Sequence, residues 1–243
     1  MKIAVTGKGG VGKTTVCAGL SLAFAEDDHK VLSVDADPDS NLAATFGFPE
    51  PDKITPVSEM KELINERTGA MGGFFKMNPR VEDIPDKYCV EHKGVRLLVM
   101  GRIKEAGTGC YCPENAFAKA LITHILIGRD DLLIMDMEAG IEHLGRGTSG
   151  NVDLMIVVVE PGKRSIETAF RIKKMADELK LKKVMVIGNK IRSEEDIVFI
   201  IKELKDLEIL GFVWYNQELA DKVDEKGLDV FNGLKEKIMQ AIE

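Results

Sequence analysis

Residues 7–15 read GKGGVGKTT, one residue after the apolar run KIAV and directly before a long helix-forming stretch. The spacing G-x-x-x-x-G-K-[ST] is met by Gly7, Gly12, Lys13 and Thr14. A glycine-rich loop that leaves a strand and enters a helix turns its backbone N–H groups inward, where the helix dipole is also positive. Such a spot binds phosphate. Gly9, Gly10, Val11, Gly12, Lys13, Thr14 and Thr15 form the expected ATP-binding run. Within it Lys13 reaches the β- and γ-phosphates and Thr14 ligates Mg2+.

A strand, a phosphate loop and a helix in succession belong to an α/β fold. The rest of the chain agrees. Apolar runs recur at 2–5, 31–34, 95–100, 132–136, 154–160, 183–189 and 209–213. Most are apolar at every position, the pattern of parallel strands covered on both faces. Helical stretches alternate with them, at 13–26 and at 165–180. In the second, Ile166, Ala169, Phe170, Ile172 and Met175 fall mostly on one face. The expectation is a doubly wound, mostly parallel sheet flanked by helices. It is read as one P-loop ATPase domain over 1–243, with an irregular insertion around 48–94. That insertion holds five of the eight prolines and is the least regular part of the chain, an insertion between strands rather than a second domain. Residues 230–243 read as a closing helix packed on the core.

Charge narrows the partners. The chain has 33 Lys plus Arg against 40 Asp plus Glu, for a net −7. An acidic chain without a dense basic run repels a phosphate backbone, so no nucleic acid is expected. No apolar stretch of about 18 residues occurs, so no membrane span is expected. The start, MKIAVTGKGG, lacks the apolar run of about 7–15 residues that a signal peptide needs. A cytoplasmic protein follows. Its thiols stay reduced, so two close cysteines read as a metal or redox feature rather than a disulfide.

Two such cysteines exist. Cys110 and Cys112, in GTGCYCPEN, are separated by Tyr111. Pro113 suits the first position of a helix, and a thiol near a helix N-terminus has a lowered pKa. Two thiolates fill half of a tetrahedral site. Cys89 or a histidine such as His92 can complete it from the same chain, or solvent can, or an identical pair from a second copy can. A four-sulfur site of the last kind accepts Zn2+, or Ni2+ in a square plane. Cys17, among Val16, Ala18 and Leu20, reads as packing.

Carboxylates follow two of the strands. VDADPDSN places Asp35 and Asp37 after the run at 31–34, with Pro38 opening a short helix that Asp37 would cap. LLIMD ends on Asp136, the place of a carboxylate that holds Mg2+ or its water. Ala139 and Gly140 then form a loop able to respond to the γ-phosphate, with His143 just beyond. Asn189 ends VIGN with Lys190 next, and no N-K-x-D guanine motif follows, which favours ATP over GTP. Trp214 either stacks on the base or packs.

Lys8 adds a second lysine to the loop. The pattern K-G-G-x-G-K-[ST]-T resembles the deviant Walker A motif of the MinD/ParA and nitrogenase-iron-protein class. The resemblance implies that Lys8 acts catalytically across a homodimer, beside the partner's nucleotide. It implies that Asp37 positions the attacking water, that Asp35 supports Mg2+ through water, and that Asn189, Lys190 and Trp214 lie at the adenine. KGGVGKTT, VDADPDSNLA, CYCPEN and DMEAGIEHLGRG together resemble the CooC-type nickel-insertion ATPases over nearly the whole chain. That narrower resemblance implies Ni2+ or Zn2+ held by Cys110 and Cys112 of two subunits, and carbon monoxide dehydrogenase, or the related acetyl-CoA synthase complex, as client. Two other readings share the loop. A MinD/ParA-like spatial regulator requires a basic terminal helix or stripe. A reductase resembling nitrogenase iron protein requires a bridging iron–sulfur cluster.

Overall fold

The all-apolar runs assemble into one sheet because each can be covered on both faces. A computed structural model describes residues 1–69, 74–101, 112–128, 132–138, 149–223 and 227–242. In chain order its strands and α-helices are β1 (Lys2–Gly7), α1 (Lys13–Ala25), β2 (Val31–Asp35), α2 (Leu42–Phe46), α3 (Lys61–Thr68), α4 (Ile84–Tyr88), β3 (Val90–His92) and β4 (Val95–Val99). Then come α5 (Pro113–Gly128), β5 (Leu132–Asp136), β6 (Leu154–Val159), α6 (Lys163–Glu178), β7 (Val184–Ile191), α7 (Glu194–Glu203), β8 (Glu208–Trp214), α8 (Gln217–Asp221) and α9 (Leu228–Ile242). The strand order is β3-β4-β2-β5-β1-β6-β7-β8. All described pairings are parallel except β3 with β4.

Alternation returns once the sheet has faces. Ile3 and Val5 of β1, Leu132 and Ile134 of β5, and Leu154, Ile156 and Val158 of β6 point into the layer of α1, α2 and α9. Ala4, Leu133, Met135, Met155, Val157 and Val159 point into the layer of α5, α6 and α7. Uniform apolarity in sequence thus serves two cores. In α9, Leu228, Phe231, Leu234 and Ile238 are buried at helical spacing, and α1 lies against them. The closing helix therefore spends its apolar face inside the fold. Gly19 of α1 permits this, because the Phe231 ring lies on its backbone where a Cβ would sit.

Three details refine the sequence reading. Phe170 of α6 is 40% exposed; the buried face runs through Ile166, Ala169, Ile172 and Ala176. The 48–94 stretch carries α3, α4 and an edge strand, β3, despite its prolines. Arg67 of α3 holds the stretch together by a two-pronged pair with Asp83, both contacts at 2.8 Å. Thirdly, no helix opens at Pro38. Residues 38–39 form a turn and α2 starts at Leu42. Among the described residues no helix is long and apolar enough to cross a membrane.

Candidate functional site

Parallel pairing brings strand ends level, and the site lies at those ends. β1 sits between β5 and β6, where the chain's crossovers change direction, the position at which open α/β sheets bind ligands. The register pairs Gly7 with Val158, Val5 with Asp136, and Asp35 with Asp136. The phosphate loop therefore leaves β1 beside two carboxylates that are remote from it in sequence.

The loop's shape follows from its glycines. Gly10 and Gly12 have φ of +79° and +91°, the left-handed region that side chains disfavour. Gly12 has a second reason to be small: a Cβ there would run into the Asn189 amide. No side chain caps the first turn of α1, so its N–H groups remain aimed at the loop. Gly9 and Gly10 are exposed, while Val11 is buried and anchors the loop. Lys13 is only 6% exposed, and its ammonium lies 3.6 Å from Asp37 Oδ2. Thr14 and Thr15 are half-buried at the start of α1.

Asp35 and Asp136 are fully buried neighbours. Asp35 Oδ1 accepts the Asp37 N–H at 3.2 Å, and Oδ2 accepts the Leu42 N–H at 3.0 Å. Asp35, not Asp37, thus receives the first turn of α2. Asp37 instead accepts the Asp39 N–H at 3.1 Å and closes the tight turn at Pro38. A proline directly followed by Asp39, Ser40 and Asn41 favours that local turn over a helix start. Burial, and then the Asp136 charge, push the Asp35 carboxyl up to about 7. Burial pushes Asp136 up to about 6, while the Thr14 hydroxyl and the Lys13 ammonium pull the other way.

Neither Asp136 oxygen completes a hydrogen bond, although both are buried. Such groups are rare and call for a partner. The oxygens of Asp136 and the Thr14 hydroxyl beside them form an all-oxygen donor set, which fits Mg2+. Asp35 already accepts two backbone N–H groups, which suits support through water better than direct ligation. Cys17 is buried beneath this pair. Burial, and then the charges of Asp136 and Asp35, hold its thiol well above the usual range. It is protonated packing, as expected.

On the far side of the loop, Asn189 is buried and its amide donates to the Val11 carbonyl at 2.8 Å. Asn189 thus props the loop from beneath, whatever its amide oxygen does toward a base. Lys190, at φ +58°, turns its ammonium onto the Gly10 carbonyl. Trp214 ends β8 opposite Ile191 and is 46% exposed, so it is not core packing. Tyr215 follows with Arg192 stacked 4.4 Å above its ring. One residue escaped the sequence reading. Glu160, directly after β6, lies 3.8 Å from the Lys8 ammonium and 3.6 Å from that of Lys190. The signal that could have found it is a carboxylate closing an otherwise apolar strand, as in LMIVVVE.

Of the cysteine pair, Cys112 is half-buried and its carbonyl accepts the Ala116 N–H at 3.1 Å, at the head of α5. Cys110 lies outside the described residues, as do Ala139, Gly140 and His143. Cys89 packs at the edge of the core, and the His92 ring lies 4.9 Å from that of Phe48. Among the described residues no group of three or more His, Cys, Asp or Glu could hold a metal ion.

Comparison with known proteins bears on this geometry. Residues 2–229 match the CobQ/CobB/MinD/ParA nucleotide binding domain model. The chain is similar to the carbon monoxide dehydrogenase accessory protein CooC of Rhodospirillum rubrum, with 44% identity over 96% of this chain and 90% of that protein. It is 48% identical to an uncharacterised ATP-binding protein of Methanocaldococcus jannaschii, over 90% of this chain and 87% of the other. Its fold is similar to that of the septum site-determining protein MinD of Pyrococcus horikoshii, solved with Mg-ADP. The TM-score is 0.66 at 19% identity, over 99% of this chain and 96% of that one.

Proposed function

The chain is a P-loop ATPase of the CobQ/CobB/MinD/ParA family, homologous to the CooC accessory protein, and from that premise we propose that it is a cytoplasmic metallochaperone ATPase. It works as a homodimer that assists nickel insertion into carbon monoxide dehydrogenase or the related acetyl-CoA synthase complex. The observation that carries this is the homology with CooC over 96% of the chain.

The side chains have tasks to match. The backbone N–H groups of Gly9 to Thr15 cradle the phosphates of ATP. Lys13 exchanges Asp37 for the β- and γ-phosphates, which frees the Asp37 carboxylate to orient water. Lys8 enters the partner's site, where its charge stabilises the transferring phosphoryl group. Bound Mg2+ would supply charge neutralisation on the phosphates, with Thr14 and Asp136 holding it and Asp35 behind. Asn189, Lys190 and Trp214 border the base. Cys110 and Cys112 of two subunits hold the cargo, Ni2+ or Zn2+, on the two-fold axis. The metal then favours the dimer, and the dimer is set by nucleotide.

The α9 helix weighs against a membrane-binding regulator, since its apolar face already packs on α1. The test is metal analysis with oligomeric mass, with ATP analogue, with ADP and without nucleotide. About half an equivalent of Ni2+ or Zn2+ per chain, only in the dimer, is the expected result for a shared four-sulfur site. Cys110→Ala/Cys112→Ala should lose that metal and still bind ATP. Tight stoichiometric metal in the double variant would remove the cysteines from the site.

A further inference from the structure

Glu160 has no task in the chemistry above, yet it is built into the site. A carboxylate this close to a phosphate loop repels phosphate unless cations surround it. Two do. The Lys8 ammonium lies 3.8 Å from Oε1 and the Lys190 ammonium 3.6 Å from Oε2. Lys190 also donates to the Gly10 carbonyl. The contacts close a ring: Lys8 to Glu160, Glu160 to Lys190, Lys190 to Gly10, and back along the loop through Gly9. The fold pays attention to both ends of this ring. The Glu160 N–H donates to the Ser165 hydroxyl at 3.1 Å, which sets where β6 delivers the carboxylate. Lys190 adopts a left-handed φ of +58°, uncommon outside glycine, asparagine and aspartate, in a break of register between β7 and β8.

We propose that Glu160 is a positioning residue that holds Lys8 on its own subunit and so sets the threshold for ATP-dependent dimerisation. The inference rests on the reading that Lys8 acts across a dimer. For that, the ammonium must leave Glu160 and enter the partner's site. Each dimer that forms breaks two Lys8–Glu160 pairs, one per subunit. The Lys8 and Glu160 side chains are 39% and 30% exposed, so each pair is weak. Removing both should tighten the dimer about three- to tenfold. Lys190 keeps its hold on Gly10 without Glu160, so the loop itself should persist.

The experiment is sedimentation equilibrium of the full chain with Mg2+ and a non-hydrolysable ATP analogue. Wild type, Glu160→Gln, Glu160→Asp, Lys8→Ala and Lys8→Ala/Glu160→Gln are compared, with thermal unfolding as a check on folding. Glu160→Gln should dimerise about three- to tenfold more tightly than wild type. Glu160→Asp, which keeps the charge, should stay near wild type. In the Lys8→Ala background Glu160→Gln should change nothing, since the lysine it restrains is gone. A merely structural role for Glu160 would show an effect independent of Lys8. Unchanged or looser dimerisation of Glu160→Gln, or tightening that persists without Lys8, overturns the proposal while leaving the ATPase reading intact. Dimerisation of Lys8→Ala at wild-type strength overturns the premise instead, and the proposal with it.

Discussion

Replacing Asp136 by asparagine tests the reading of the buried carboxylates most directly. The side chain is fully buried and neither oxygen completes a hydrogen bond. Burial raises its carboxyl from the ordinary 3.8 to about 6. The folded protein therefore holds a proton between those values that the unfolded chain releases. The contribution to stability is whole below pH 3.8 and is lost as pH rises through 6. At about 1.4 kcal/mol per pH unit the loss is about 3 kcal/mol by pH 8. Asparagine is never charged, so the variant escapes it. The amide's own unmet hydrogen bonds reduce the gain to about 1–3 kcal/mol. Neutralising Asp136 also removes one cause of the raised Asp35 carboxyl, which acts in the same direction. In EDTA at pH 8, Asp136→Asn should melt about 3–10 °C above wild type. Near pH 4 the two should nearly coincide. Mg-ADP should then stabilise wild type more than the variant, because the ion selects the ionised carboxylate while the loop still binds the phosphates of both. The assay is thermal unfolding by circular dichroism at both pH values. An Asp136→Asn protein no more stable than wild type at pH 8 in EDTA would refute the argument.

Two glycine substitutions probe the packing behind the site. Gly12→Ala places a Cβ against the Asn189 amide at a φ of +91°. It should cost about 1–3 kcal/mol and abolish tight binding of a fluorescent ATP analogue. Gly19→Ala drives a methyl into the Phe231 ring and should lift α9 from α1. It should cost about 1–3 kcal/mol in urea unfolding, with nucleotide affinity measured on the folded fraction little changed.

The phosphate loop was legible because its chemistry is local. Glycines, a lysine and a hydroxyl, placed between a strand and a helix, carry their meaning in nine consecutive residues. The parallel sheet was legible because strands covered on both faces must be apolar at every position, as β5 and β6 are. Phe170 misled for the opposite reason: helical spacing names a face without saying where the neighbouring layer ends. Pro38 misled because a turn and a helix start use the same residues. Local hydrogen bonding to Asp37 and Asp35 decides between them.

Residue types and their spacing were enough to determine a nucleotide-binding loop, a doubly wound sheet and an acidic chain. Tertiary structure alone decided which distant groups meet. Asp35 and Asp136 become a pair only through the register of β2 on β5, across about a hundred residues of chain. Glu160 meets Lys8 only because β6 lies beside β1. Asn189 reaches the loop only because β7 follows β6 in the sheet. Pairing of strands is a long-range choice, made by burying two apolar faces at once. No window of sequence contains both partners of the contacts it creates.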